Sequence, residues 1–182
     1  MPPKKKIAVS PTKERSYVIH VEIQDVIEPK VTRTLSVPPS TTFHNLHLAI
    51  QTAFGWQNQH SHHFEVINVP AIWLDSKKEP PRVPGPRVLL TIRGPGYYED
   101  DDDDDTPFVD EKTTKLSDVF EQEKYHNKYL EYLYDFGDNW EHSVMLVGRA
   151  EEPLSANYIF CIAGEGGPVA ENCVGVDGWE GV

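Results

Sequence analysis

Apolar and polar positions change period along the chain, and the changes divide it into elements. Between Ser16 and Val26 the residues alternate: Tyr17, Ile19, Val21 and Ile23 are apolar, with His20, Glu22 and Gln24 between them, the pattern of a half-buried strand. Glu28, Pro29 and Lys30 give a turn signal, after which Val31, Leu35 and Val37 continue an inward face on which Arg33 is the odd member. These two strands read as a hairpin. Pro38 and Pro39 stop the second strand, and Ser40 or Thr41 is placed to cap a helix. From Thr42 to Phe54 the period becomes helical, with Phe43, Leu46, His47, Ile50, Ala53 and Phe54 on one side and Gly55 at the end.

Extended structure returns over His60 to Val69, where His60, His62, Phe64 and Val66 share one parity. The stretch from Asp75 to Pro86 holds four prolines and reads as a loop. Arg87 to Arg93 reads as a short strand and Leu116 to Gln122 as a short helix. Lys128 to Phe136 and Trp140 to Arg149 read as two strands around a Gly-Asp-Asn tip. From Ala150 onward glycine and proline recur, so an irregular tail is expected. The order predicts an α+β fold: a mixed or antiparallel sheet of about six strands, with one main amphipathic helix and one short helix on one face and a β-grasp-like start. Residues 16–182 form a single domain in this reading, preceded by a disordered basic tail over residues 1–15.

Register can be argued for the last hairpin, because a slip of one residue turns every side chain to the other face. Placing Phe136 opposite Trp140 sets Tyr134 against His142 and Tyr132 against Val144, which gives one coherent aromatic and aliphatic face. Gly137, Asp138 and Asn139 are then the loop, Asp135 points outward across from Glu141, and His142 points inward. The tripeptide Asp135-Phe136-Gly137 is not a kinase signature, since no glycine-rich loop, strand lysine or catalytic loop precedes it.

Composition narrows the function. The net charge of −12 is concentrated, for Glu99 and Asp100 to Asp105 supply seven negative charges in one run. Residues 97–107 are therefore expected to be a solvated, disordered insertion. No cluster of Lys and Arg could neutralise several phosphates, so nucleic-acid binding would need a basic partner. No apolar run reaches the length of a membrane span, and the basic N-terminus lacks the apolar core of a secretory signal. An intracellular location, cytoplasmic or nuclear, is expected. Cys161 and Cys173 then read as reduced thiols.

The unusual feature is a set of histidines on inward parities: His47, His60, His62 and His142. Once buried, each needs a hydrogen-bond partner, so a shared pocket is one outcome and separately satisfied core residues the other. His60, His62 and His142 with Asp138 or Asp135 are suitable ligand types for zinc, iron or manganese, although their spacing matches no strong metal signature. A nucleophilic Cys161 served by His142 is a further reading.

The ordered series LHLAIQTAFGW, HSHHF, YLYDFGDNWEH and CIAGEGGPVAENC resembles the plasmid pRiA4b open-reading-frame-three-like family over roughly residues 16–180. The resemblance implies a compact α+β domain and no particular reaction. Some proteins of that type are described as resolvase-like transposon passengers, but a serine recombinase needs a serine nucleophile among arginines, and none is arranged so here. Against the family's pattern, Asn172 stands where an acid is expected and Val174 where a glycine is, and the chain ends at Val182 without the family's usual extension. A binding or interaction domain for an unidentified protein or small molecule is therefore expected in preference to an enzyme. Its pocket candidates are His47, Trp56, Tyr134, Asp135, Asp138, Trp140, His142, Cys161 and Glu171. The rivals are a metal-dependent hydrolase on His60, His62, Asp138 and His142, and an accessory of DNA mobility.

Overall fold

The structure, a computed structural model, describes residues 15–26, 28–69, 86–94, 106–150 and 157–179. The expected basic tail, proline-rich loop and acidic insertion lie outside the described residues, apart from Arg15, Pro86, Thr106 and Pro107. The described elements are, in chain order, β1 (Tyr17–Ile23), β2 (Thr32–Val37), α1 (Phe43–Phe54), β3 (His62–Asn68), β4 (Arg87–Arg93), β5 (Phe108–Asp110), α2 (Ser117–Phe120), β6 (Tyr129–Tyr134), β7 (Trp140–Arg149), β8 (Phe160–Glu165) and α3 (Gly175–Trp179). The fold is α+β.

Among the described residues eight strands join in one sheet, in the order β5-β4-β3-β6-β7-β1-β2-β8. Every pairing is antiparallel except that of β4 with β5, so the sheet is mixed. Six strands were expected. The two that pattern reading does not find are the edges, and the reason is physical. β5 has only three residues, and β8 is exposed along its whole length, so neither carries the alternation of a half-buried strand. The tail expected to be irregular thus contributes both β8 and α3.

The opening alternation is confirmed by burial: Tyr17, Ile19, Val21 and Ile23 are all enclosed, and β1 pairs with β2 in register Ile19 to Leu35. Helix α1 lies over the centre of the sheet. Its ring contacts reach Phe64 on β3 from Phe43, Tyr132 on β6 from His47 and His142 on β7 from Phe54. The cap is Thr42, not Ser40 or Thr41; its side chain accepts from the Asn45 N–H at 3.3 Å. Two further N–H groups of the first turn, on Phe43 and His44, donate to the carbonyls of Thr114 and Glu111. The turn after β5 therefore completes the helix start. At the other end Gly55 adopts φ +81 and closes the helix in the left-handed conformation that glycine accepts without strain. Phe120 of α2 packs edge-on against Tyr17, which puts both helices on the same face of the sheet, as expected.

Arg33, the odd member of its face, is a clamp. Its guanidinium donates to Ala53 O at the end of α1 (2.8 Å), to Thr32 O (2.6 Å), and to Glu165 O (2.9 Å) and Gly166 O (3.4 Å) at the end of β8. One side chain thus ties the helix to the strand that starts the C-terminal segment.

Candidate functional site

The hairpin of β6 and β7 keeps the expected face but not the expected register. Tyr134 pairs with Trp140, Tyr132 with His142 and Leu130 with Val144, two residues away from the pairing read from the sequence. The loop is consequently five residues long, Asp135 to Asn139. Its cause is Asp135, which takes φ +59 and turns its carboxylate onto the N–H groups of Gly137 (3.0 Å) and Asp138 (3.3 Å). A side chain that replaces a backbone turn ends the strand early. Asp135 is therefore buried, not outward, and Phe136 is 42% exposed instead of facing Trp140.

Behind this hairpin His47 is held in a closed ring of hydrogen bonds. Gln51 Nε2 donates to the Tyr132 hydroxyl (2.9 Å), and that hydroxyl donates to His47 Nδ1 (2.8 Å). His47 Nε2–H then donates to Asn58 Oδ1 (2.8 Å), and the Asn58 N–H returns to Gln51 Oε1 (3.1 Å). Because Asn58 Oδ1 only accepts, the proton sits on Nε2 and the ring is neutral. Burial first, and then neighbouring His62, lower the His47 pKa to about 4, in keeping with that tautomer. His47 is thus a satisfied core histidine. Pattern reading passes over Asn58 and Gln51, since Asn58 lies in a polar loop where only its positive φ of 56 marks it.

His62 stacks on His47 with ring centroids 3.4 Å apart and planes 3° from parallel. Its Nε2 lies 2.8 Å from Glu111 Oε2, while His44 Nδ1 lies 3.0 Å from Glu111 Oε1. Burial pushes the Glu111 carboxyl up, but its bonds to the two imidazoles outweigh this and hold it below the ordinary range. Glu111 is only 3% exposed and is invisible to motif reading, because its partners stand 49 and 67 residues away.

The remaining candidates meet on one rim of the sheet, where the loop after α1, the Asp135–Asn139 loop and the segment after β8 converge. That last segment lies across the aromatic stack as a strap. Trp56 donates from Nε1 to Val169 O (2.9 Å), and its ring stacks on Tyr134 at 5.1 Å. Glu171 accepts from the Tyr134 hydroxyl with one oxygen and from the Gln57 N–H (2.9 Å) with the other. Burial, and then the bond to Glu171, push the Tyr134 hydroxyl up to about 12. The His60 side chain, 29% exposed, sits between Asn172 Oδ1 at 2.8 Å and Asp135 Oδ2 at 3.4 Å. Asp138 Oδ2 accepts from the Val174 N–H at 3.1 Å.

The proposed ligand set His60, His62, Asp138 and His142 does not converge. Each has its own partner, and among the described residues no three His, Cys, Asp or Glu side chains form a group that could hold a metal. His142 is fully enclosed. Its Nδ1 faces the carbonyls of Tyr132 (3.1 Å) and Trp140 (3.0 Å), so it must carry the proton. Its Nε2 is left bare and without a partner, as is the indole Nε1 of Trp140. Cys161 is exposed on β8, three strands from β7 and so about 14 Å away, which separates it from His142. Trp56, Tyr134, Asp135, Asp138, Trp140, His142 and Glu171 do come together. Two clefts, of about 670 and 620 Å³, lie elsewhere, beside α2 and the 3-10 turn Glu123–Tyr125. Val69 and Pro107 in their walls stand close to where the chain leaves the described residues.

No helix among the described residues is long and apolar enough to cross a membrane. The chain is 30% identical over 122 residues to the uncharacterized protein y4hQ of Sinorhizobium fredii, an alignment that covers 67% of this chain and 48% of that protein, so the chain spans about half the relative's length. A crystal structure of a protein of unknown function, MM3350 from Methanosarcina mazei Go1, superposes with a TM-score of 0.68 at 32% identity, covering 93% of this chain and 81% of that one. The profile of the family described as plasmid pRiA4b ORF-3-like protein matches residues 15–182. With the hairpin, the histidine strand and the strap all inside that match, the chain belongs to the plasmid pRiA4b ORF-3-like family.

Proposed function

We propose that the protein is a binding domain whose recognition surface is the rim around His60, and that it does not act as a metal-dependent hydrolase. The observation that carries this reading is the setting of His60. A partly exposed imidazole is fixed between Asp135 and Asn172, above the enclosed aromatic side chains of Tyr134 and Trp56. Polar groups held on a rigid apolar base cost little to order when a ligand arrives. The rim offers an imidazole, a carboxamide and the Glu171 carboxylate, which suits a small polar molecule or peptide segment with both donors and acceptors.

The test is a fragment screen with small polar aromatic acids and amides, followed by amide chemical-shift mapping on the protein. Perturbations are expected at residues 57–61, 135–139 and 170–174, and His60→Ala should weaken the hits roughly tenfold, the loss of a hydrogen bond to a well-placed side chain. Hits that map instead to the cleft around Leu90, Val109 and Val119 would overturn the assignment.

A further inference from the structure

Two polar atoms behind the rim have no partner. Trp140 Nε1 and His142 Nε2 belong to fully buried residues two apart on one face of β7, and their side chains share a neighbour, the Trp56 ring, with centroids 5.7 and 5.3 Å away. One atom is an N–H donor and the other a bare acceptor, and leaving such groups unpaired in a core is costly. Phe54 and Tyr132 also pack on His142, but Trp56 is the ring that packs against both side chains. It follows Gly55, the left-handed residue that ends α1, and it is held down from outside by the Val169 carbonyl. The strap that supplies this carbonyl is itself tied by polar contacts: Glu171 to Tyr134 and Gln57, Asn172 to His60, and the Val174 N–H to Asp138. Val169 of the strap is buried, and Cys173 packs partly against the core.

We propose that Trp56 is the movable leaf of a closed inner subsite, latched by the strap, and that this subsite takes a small aromatic ring bearing a hydroxyl. The ring replaces the Trp56 indole against Tyr134, where an aromatic already stacks at 5.1 Å and 18°. A hydroxyl both accepts and donates, so it is the smallest group that answers an indole N–H and an imidazole lone pair. The leaf turns at Gly55, whose backbone tolerates the change, and opening requires the strap to release the indole. This inference rests on the reading of the rim as the recognition face, and it names the class of ligand that passes through it.

The experiment titrates the whole protein with phenol and, separately, with toluene, following the indole N–H signals of Trp56 and Trp140 and the His142 ring nitrogens by NMR. Phenol is expected to give a saturable change at Trp140 and His142, with toluene at least several-fold weaker. Trp140→Phe keeps the ring but removes the donor, and should weaken phenol roughly 3- to 10-fold. Asp138→Ala removes the strap's bond at the Val174 N–H and leaves Tyr134, Trp140 and His142 in place, and should strengthen phenol binding because the open form is then more populated. Toluene binding as well as phenol, or Asp138→Ala weakening phenol, overturns the inference. Perturbation confined to residues 57–61 removes the inner subsite and leaves the rim reading standing. Silence at both places removes both.

Discussion

Val174 holds a backbone conformation that a β-branched residue rarely accepts, with φ at +71, while its side chain is 79% exposed and has little packing to lose. The strain is therefore separable from contacts. Val174→Gly should raise stability by about 1 kcal/mol, the difference between a strained β-branched residue and the extra chain entropy of glycine. The melting temperature should rise by roughly 2–4 °C; an unchanged or lower value would show that the position is not strained. The resemblance read from the sequence singled out Val174 as a position where glycine was expected, but the geometry there was not legible. The same holds for Asp135: motif reading finds it, yet only the turn it makes with Gly137 and Asp138 shows that it ends the strand two residues early. Arg33 was visible as an exception on an apolar face, and the exception marks a clamp on carbonyls that come from three separate parts of the chain.

Elements with their own period were readable. β1 and α1 bury a side chain every second residue and every third or fourth one, and they were placed to within three residues. β8 was not readable, because a strand exposed on both faces has no period to show. Its place at the sheet edge depends on β2 and on the Arg33 clamp. Arg33→Met keeps the stem's bulk but leaves the carbonyls of Ala53 and Glu165 without this donor. The loss should be on the order of 3 kcal/mol, since the bonds come from a charged group that is partly shielded from water. The melting temperature should fall by roughly 6–12 °C, and the amides of β8 should exchange faster than those of β1. If β8 and β1 stay equally protected, the clamp does not hold the edge.

Across the whole molecule, buried titratable groups make stability depend on pH. Burial lowers His47, His63 and His142 to about 4, with His62 adding to the effect at the first two. Unfolded, each would titrate near ~6.5, so the stability tied to their neutral forms is complete above that pH and drains away as pH falls towards 4. Glu111, held low by its imidazoles, adds a loss at the acid end of the same range. Glu131 acts in the opposite sense. Burial, then Glu141 and Glu65, push it up to about 7, and Glu65 stands directly opposite it in the sheet. Its charge therefore destabilises the fold above neutrality, and protonation relieves this as pH falls from 7 towards ~4.3. The melting temperature should drop steeply between pH 6.5 and 4 in the native sequence. Glu131→Gln should raise it at pH 8 and make no difference near pH 4. A flat profile, or an equal gain at both pH values, would contradict the assignments. None of these shifts was legible in the sequence, because each depends on what lies across a strand or under a helix.

The strand order also carries a schedule. β1 is made before the other described strands, yet it lies between β2, made at once, and β7, which ends at Arg149. β2 in turn waits for β8, up to Glu165, and the strap comes later still. β1 and β2 cannot finish pairing until β7 and β8 have been synthesised, and loops that long close slowly. The nascent hairpin must therefore carry both of its open backbone edges unpaired while the residues up to Glu165 are being made.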